Sequence, residues 1–193
     1  MKNNFPFLGI KKPQRAVLQK EFIKQCKKNK EIDWAFIFRL WELPEREFQY
    51  LAVDLLIALS NELQETNIDK IEQLITNRSW WDTADALASN VVGKMCKKHP
   101  VLQKNTILSW SKSDNIWLSR SAILFQLKYK EDTDTDLLSR IILKNSNSDE
   151  FFINKAIGWV LREYSKTNKE WVKSFIQKNE LHPLSIREAS KYL

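Results

Sequence analysis

The sequence predicts an all-α fold in which pairs of helices stack into an α-solenoid, and three observations lead to this prediction. The 193 residues include only 3 glycines and 5 prolines, which leaves little material for the turns of β-hairpins and βαβ units. Apolar residues recur at helical spacing in segments that short polar turns separate. Four longer helices begin near Arg46, Ser79, Ile116 and Phe151, and a helix pair repeated about every 35 residues is typical of solenoids. A plain helical bundle is the alternative that this pattern leaves open.

The elements follow one another with short connections. An apolar lead-in, Phe5–Ile10, opens the chain, and we expect it to be anchored to the fold. Pro13 stands where a first-turn proline belongs and starts the first helix. Apolar spacing predicts helices over 13–29, 33–43, 44–62, 67–77, 79–97, 99–111, 114–130, 134–145, 149–166, 168–179 and 184–193. Capping boxes are predicted at Ser79/Asp82, Thr133/Asp136, Thr167/Glu170 and Ser185/Glu188.

Composition narrows the class of protein. The chain carries a net charge of +7 with a pI of about 9.3, which is compatible with a polyanionic partner and equally with an ordinary lysine-rich surface. Cys26 and Cys96 lack the spacing of metal ligands, so we expect neither a metal site nor a disulfide framework. The first residues lack the apolar stretch of a signal peptide or membrane span. We therefore expect a protein of the reducing cytoplasm, without a cofactor.

The helix that starts at Ser79 carries the first candidate site. Trp80 shares a helical stripe with apolar residues further along, so we expect it in the core. Trp81 lies off that stripe, and Asp85 follows it one turn later. An indole and a carboxylate projecting side by side are not what core packing requires.

Two later helices carry residues that also break the core pattern. Arg120 has only apolar neighbours at helical spacing, so the fold must supply an anion or water opposite it. Trp159 lies outside the apolar stripe of its helix, on a strip with Phe152, Lys155 and Arg162 that resembles a phosphate-binding surface. Each residue alone has an ordinary explanation as a core tryptophan, a helix cap or an ion pair. Together, on three successive repeats, they predict one site.

Several stretches resemble the DNA alkylation repair family of HEAT-like repeat glycosylases, the AlkD type. They are Phe-Pro-Phe-Leu-Gly-Ile at 5–10, Leu-Trp-Glu-Leu-Pro-Glu-Arg-Glu-Phe-Gln at 40–49, Ser-Trp-Trp-Asp at 79–82, Ser-Asp-Asn-Ile-Trp-Leu at 113–118, Ala-Ile-Leu-Phe-Gln-Leu-Lys-Tyr-Lys at 122–130 and Phe-Phe-Ile-Asn-Lys-Ala-Ile-Gly-Trp-Val-Leu-Arg-Glu-Tyr at 151–164. The resemblance implies a right-handed solenoid whose basic concave face holds duplex DNA. It also implies hydrolysis of the N-glycosidic bond of N3- or N7-alkylated purines.

The resemblance assigns roles to residues that periodicity had already singled out. Asp85 matches the catalytic carboxylate of the family, Trp81 and Trp159 match its two cleft tryptophans, and Arg120 matches its cleft arginine. We expect Arg120 to contact a phosphate, and we assign Lys155, Arg162 and Lys128 to DNA binding with it. The implied partner is double-stranded DNA containing alkylated purines, in the bacterial cytosol and associated with the nucleoid, with no metal, cofactor or membrane involved. Two alternatives stay open: a non-catalytic HEAT-repeat protein that binds bent, damaged or branched DNA, and a protein-interaction scaffold.

The ends of the chain differ from the family pattern. The single domain, 1–193, is expected to be shortened at both ends relative to its relatives, which would leave Val17, Leu18 and Phe22 of the first helix without a partner. Either the lead-in Phe5–Ile10 folds back to cover this face, or the chain dimerises through it.

Overall fold

A computed structural model describes residues 3–193, and every regular element in that range is helical. The helices are α1 (Lys12–Asn29), α2 (Trp34–Glu42), α3 (Arg46–Ala58), α4 (Ile68–Thr76), α5 (Trp81–Leu87), α6 (Gly93–Lys98), α7 (Leu108–Trp110), α8 (Ile116–Leu124), α9 (Thr135–Asn145), α10 (Phe151–Tyr164), α11 (Lys169–Lys178) and α12 (Pro183–Ala189). Short 3₁₀ turns cover Glu65–Asn67, Lys130–Asp132 and Ser190–Tyr192. No helix within residues 3–193 is both long and apolar enough to cross a membrane.

The repeat predicted from the sequence is confirmed by the packing. Helix α3 packs on α5, α5 on α8, α8 on α10 and α10 on α12, so the second helix of each pair forms a continuous inner layer. The first helices of the pairs pack behind this layer, α2 on α3, α4 on α5 and α9 on α8. Each pair therefore buries its apolar stripe mainly against its neighbours, which is how an α-solenoid builds a core.

Side-chain caps start the helices at positions other than those predicted. The residues that accept a first-turn amide hydrogen bond are Asp33, Asn115, Asp134, Asn168 and His182. The four predicted capping boxes were wrong. Thr133 and Thr167 stand one residue before the true cap, because the neighbouring Asp134 and Asn168 take that position. Ser79 instead donates to the Ile75 carbonyl at 2.7 Å.

The predicted helix 79–97 contains a wider turn than an α-helix has. Residues Ala88–Val92 form a π-helical turn that joins α5 to α6, and Gln103–Ile107 form another that leads into α7. Within the first turn, Ser89 Oγ donates to the Asp85 carbonyl at 2.8 Å and Asn90 Nδ2 donates to the Ala86 carbonyl at 2.9 Å. These side chains compete with the backbone ladder, and π-helical turns are frequent at functional sites.

The lead-in is anchored to α3, as expected, but it does not cover α1. The amides of Leu8 and Ile10 donate to the Glu47 carboxylate at 3.0 and 3.1 Å. Because Glu47 in the first turn of α3 collects these amides, the lead-in runs towards α3. Val17 and Leu18 on α1 stay 75% and 72% exposed. Of the two alternatives, the one in which the lead-in folds back over this face is therefore wrong, and dimerisation through it stays a prediction.

Candidate active site

Asp85 and Arg120 form a buried ion pair between α5 and α8. Arg120 Nε donates to Asp85 Oδ1 at 2.7 Å, and Nη2 donates to Oδ2 at 2.8 Å. The third nitrogen, Nη1, donates to the backbone carbonyl of Phe152 on α10. The two residues are only 7% and 5% exposed. The anion that the sequence required opposite Arg120 is thus Asp85, and the expected contact between Arg120 and a phosphate stays a prediction.

Two opposing effects act on the Asp85 carboxyl. Burial raises the pKa of Asp85 above its usual range, since a charged group loses solvation there. The hydrogen bonds and charge of Arg120 oppose this rise, and the nearby carboxylate of Asp82 adds to it. The ionised form of Asp85 therefore depends on Arg120, because no other cation touches that carboxylate among the described residues.

Three aromatic rings pack beside this ion pair. We call Trp80, Trp117 and Phe152 the aromatic cluster; their ring centroids lie 5.8 Å apart for Trp80–Trp117, 5.2 Å for Trp80–Phe152 and 5.1 Å for Trp117–Phe152. The Arg120 guanidinium carbon lies 5.8 Å from the Phe152 centroid. The cluster joins the first turns of α5, α8 and α10, and so it fixes the three helices that supply the candidate site.

Trp80 does not lie in the core as the sequence predicted. It is the N-cap residue of α5, and its extended backbone, with φ −156° and ψ 162°, takes it off the helical stripe. It is half-buried among the other two rings. The spacing of residues in the sequence did not predict this cluster as a unit. Its only local signal is that each ring stands at or next to the start of an inner helix.

The two tryptophans assigned to the site differ in exposure. Trp81, in the first turn of α5, is 45% exposed, which is unusual for so large an apolar side chain. Trp159 on α10 is half-buried and packs against the edge of the core. Both lie on helices of the inner layer, the first on the helix of Asp85 and the second on the helix that bonds Arg120.

The basic residues assigned to DNA binding are partly engaged within the protein. Lys155 and Arg162 on α10 form ion pairs with Glu188 on α12, at 3.0 and 2.7 Å. Lys128 donates to Asn90 Oδ1 at 2.5 Å and is exposed. All three keep part of their hydrogen-bonding capacity, because an ammonium has three donors and a guanidinium five.

A second buried pair anchors the start of α5. Arg46, fully buried at the start of α3, donates to Asp82 from Nη2 at 2.7 Å and from Nε at 3.2 Å. Tyr50 Oη donates to the same carboxylate at 2.6 Å. Asp82 thus ties α5 to α3 instead of capping its own helix. This network holds the turn that carries Trp81.

Nothing in residues 3–193 resembles a metal centre. No three His, Cys, Asp or Glu side chains in that range lie close enough together to hold a metal ion. Cys26 and Cys96 are free thiols.

Comparisons with known proteins agree with the architecture. A family model described as "DNA alkylation repair enzyme" matches residues 1–193. A solved structure, "Predicted DNA alkylation repair enzyme from Enterococcus faecalis", is similar to this chain with a TM-score of 0.92 and 34% sequence identity, covering 100% of this chain and 90% of that chain. No curated protein matches the chain.

Proposed function

Because the chain belongs to the DNA alkylation repair enzyme family, we propose that it is a monofunctional DNA glycosylase that hydrolyses the N-glycosidic bond of N3- and N7-alkylated purines in duplex DNA. The observation that carries this proposal is the Asp85 carboxylate, which is buried in a bidentate ion pair with Arg120, whose hydrogen bonds and charge favour its ionised form.

The chemistry of the lesion explains why one carboxylate suffices. An N3- or N7-alkylated purine carries a positive charge, so the electron pair of the breaking C1′–N bond neutralises the base and no general acid is needed. The deoxyribose left behind resembles an oxocarbenium ion, and an anion placed beside it lowers the barrier. Water then adds to C1′ and releases a proton, which gives an abasic site. Asp85 supplies the negative charge and can orient that water.

Arg120 acts mainly through Asp85 in this proposal. Its bidentate bonds fix both carboxylate oxygens, and its bond to the Phe152 carbonyl fixes the guanidinium itself. A guanidinium held by three hydrogen bonds has little freedom to reorient, so the Asp85 carboxylate is preorganised to stabilise the developing cation. A phosphate contact from Arg120 would use the donor hydrogens that remain on Nη1 and Nη2.

Trp81 and Trp159 are suited to contact the lesioned nucleotide. A cationic base or sugar near an indole face gains about 0.5–2 kcal/mol. Lys155, Arg162 and Lys128 would bind phosphates and set the position of the duplex on the concave face. No lysine stands beside Asp85 among its described partners to form a Schiff base, which favours simple hydrolysis without strand cleavage.

A DNA-binding protein without catalysis is the second candidate. It is favoured by the same ion pair, because both Asp85 oxygens already accept hydrogen bonds from Arg120, as they would in a purely structural ion pair. The two functions differ in one measurable respect, which is the release of a base.

The test is mass-resolved release of 7-methylguanine from methylated duplex DNA. We expect release by the parent protein, loss of release in Asp85→Asn, and little change in its affinity for DNA. Asp132→Asn is the matched control, since it makes the same chemical change at an exposed ion pair with Lys97. It should retain release. If Asp85→Asn releases the base within about threefold of the parent rate, the catalytic assignment is wrong. No release by any folded variant would favour the binding protein.

A further inference from the structure

Glu188 on α12 is the centre of a cluster of three cations. Lys155 Nζ lies 3.0 Å from one carboxylate oxygen, and Arg162 Nη1 and Lys191 Nζ lie 2.7 and 2.8 Å from the other. We call these four residues the Glu188 cluster. The Glu188 side chain is 8% exposed, whereas the three cations are 21–50% exposed. The hydrogen bonds of Lys191, Lys155 and Arg162 lower the pKa of Glu188 to about 2. The cluster therefore has a net charge of +2 and presents its cations outward.

Close packing of α12 on α10 allows the Glu188 side chain to contact both Lys155 and Arg162. Gly158 faces α12 so closely that an added Cβ would lie 2.5 Å from the Glu188 Cβ and 2.9 Å from the Ser185 carbonyl oxygen. Ser185 Oγ also donates to the backbone and side-chain oxygens of Asn154 at 3.0 and 3.2 Å. The close approach at Gly158 and the hydrogen bonds between Ser185 and Asn154 thus hold α12 tightly against α10. At this separation one glutamate spans two residues of α10 that are seven apart.

Two cations of the cluster lie on the same strip of α10 as Phe152, whose backbone carbonyl accepts a hydrogen bond from Arg120. Phe152, Lys155, Trp159 and Arg162 follow one another at helical spacing, and Lys155 and Arg162 stand on either side of Trp159 along the helix. With a rise of about 1.5 Å per residue, the two cations are separated by about 10 Å along the axis. Their common partner Glu188 thereby fixes the charges that frame Trp159.

We propose that Glu188 is a positioning residue, which orders Lys155, Arg162 and Lys191 as a preformed phosphate clamp beside Trp159 and so sets the lesioned strand against Asp85. This inference rests on the proposed glycosylase function and extends it to a carboxylate that touches no substrate. A carboxylate on a DNA-binding face repels phosphates, so its presence there costs affinity. The compensating benefit is preorganisation. Three flexible side chains that one anion already holds in place lose less conformational entropy when DNA binds.

The experiment compares Glu188→Gln with the parent protein in single-turnover release of 7-methylguanine and in binding to undamaged duplex. We expect undamaged duplex to bind at least as tightly, because a negative charge has gone, while the release rate falls at least about tenfold through misplacement of the strand. Glu163→Gln is the matched control, since it makes the same chemical change on α10 at an exposed ion pair with Lys166 alone. Its release rate should stay within about twofold of the parent rate.

A second variant separates geometry from charge. Glu188→Gln/Lys191→Gln restores the parent net charge, so a purely electrostatic effect would be reversed in it, whereas lost positioning would leave the release rate low. Recovery of the parent rate in the double variant would overturn the proposal. So would an unchanged rate in Glu188→Gln, or a Glu188→Gln protein that no longer unfolds cooperatively, which would make the residue a purely structural one. The parent protein in the same assay tests the proposed function on its own, because failure of that function means no release even with Glu188 intact.

Discussion

The dependence of Asp85 on Arg120 gives a prediction whose size follows from the geometry. Arg120→Met keeps the length and apolar stem of the side chain but removes the two bonds to Asp85 and the bond to the Phe152 carbonyl. Asp85 then remains buried without a cation. Breaking a buried pair from one side costs about 3–5 kcal/mol, against a total stability of about 5–15 kcal/mol for an ordinary domain. We expect the variant to fold at neutral pH with a free energy of unfolding lower by about that amount.

The sign of the pH dependence follows from the Asp85 pKa. Burial already raises this pKa, and the loss of Arg120 removes the opposing effect and raises it further. In the pH range in which Asp85 is protonated in the folded variant but ionised in the unfolded chain, the free energy of unfolding falls as the pH rises, by about 1.4 kcal/mol per pH unit. The deficit relative to the parent protein should therefore be small near pH 4 and grow towards neutral pH.

Urea unfolding between pH 4.5 and 8 measures this deficit. Arg140→Met is the control, since Arg140 is an exposed arginine on α9 and its replacement should change stability by no more than about 0.5 kcal/mol. The variant Asp85→Asn/Arg120→Met should recover part of the loss, because it leaves no uncompensated buried charge. A deficit that is equal at every pH, or below about 1 kcal/mol at pH 7, would refute the idea that Arg120 keeps a buried carboxylate ionised.

Three further predictions concern DNA contacts and acid stability. Lys155→Gln or Lys128→Gln should weaken binding to all duplex sequences about equally and make the slope of log K against log salt shallower by about one, whereas an unchanged slope would exclude a phosphate contact. Trp81→Ala should lower base release about tenfold and Trp81→Phe much less, because phenylalanine keeps an aromatic face for the cation; equal losses in both would point to packing alone. Glu188 has a pKa lowered from its usual 4.5 to about 2, so its contribution to stability is complete above pH 4.5 and is lost as the pH falls towards 2. Thermal unfolding from pH 2 to 6 should show this loss in the parent protein and not in Glu188→Gln.

Much of the architecture could be predicted from the sequence because the spacing of apolar residues within each segment determines it. The starts of α3, α8 and α10 at Arg46, Ile116 and Phe151 coincide with the predicted repeat, since apolar residues at helical spacing specify a helix and its buried face. Arg120 could be singled out in the same way, as a charge in an apolar stretch. Helical periodicity shows which residues share a face of a helix. It therefore also shows which residues on an apolar face are not of the type that core packing requires.

Partners across the chain were decided only by the tertiary structure. Asp85 and Arg120 are 35 residues apart, and Glu188 meets Arg162 across 26 residues. Such long-range contacts depend on how the turns orient one helix pair against the next. The spacing of residues within a helix does not encode this orientation. The misplaced caps have a related cause: serine, threonine, aspartate and asparagine can all cap a helix, so neighbouring candidates compete. The sequence by itself thus determined the helices and the residues that do not fit a core, while the stacking of the repeats decided that Arg120 pairs with Asp85 and that Glu188 gathers three cations.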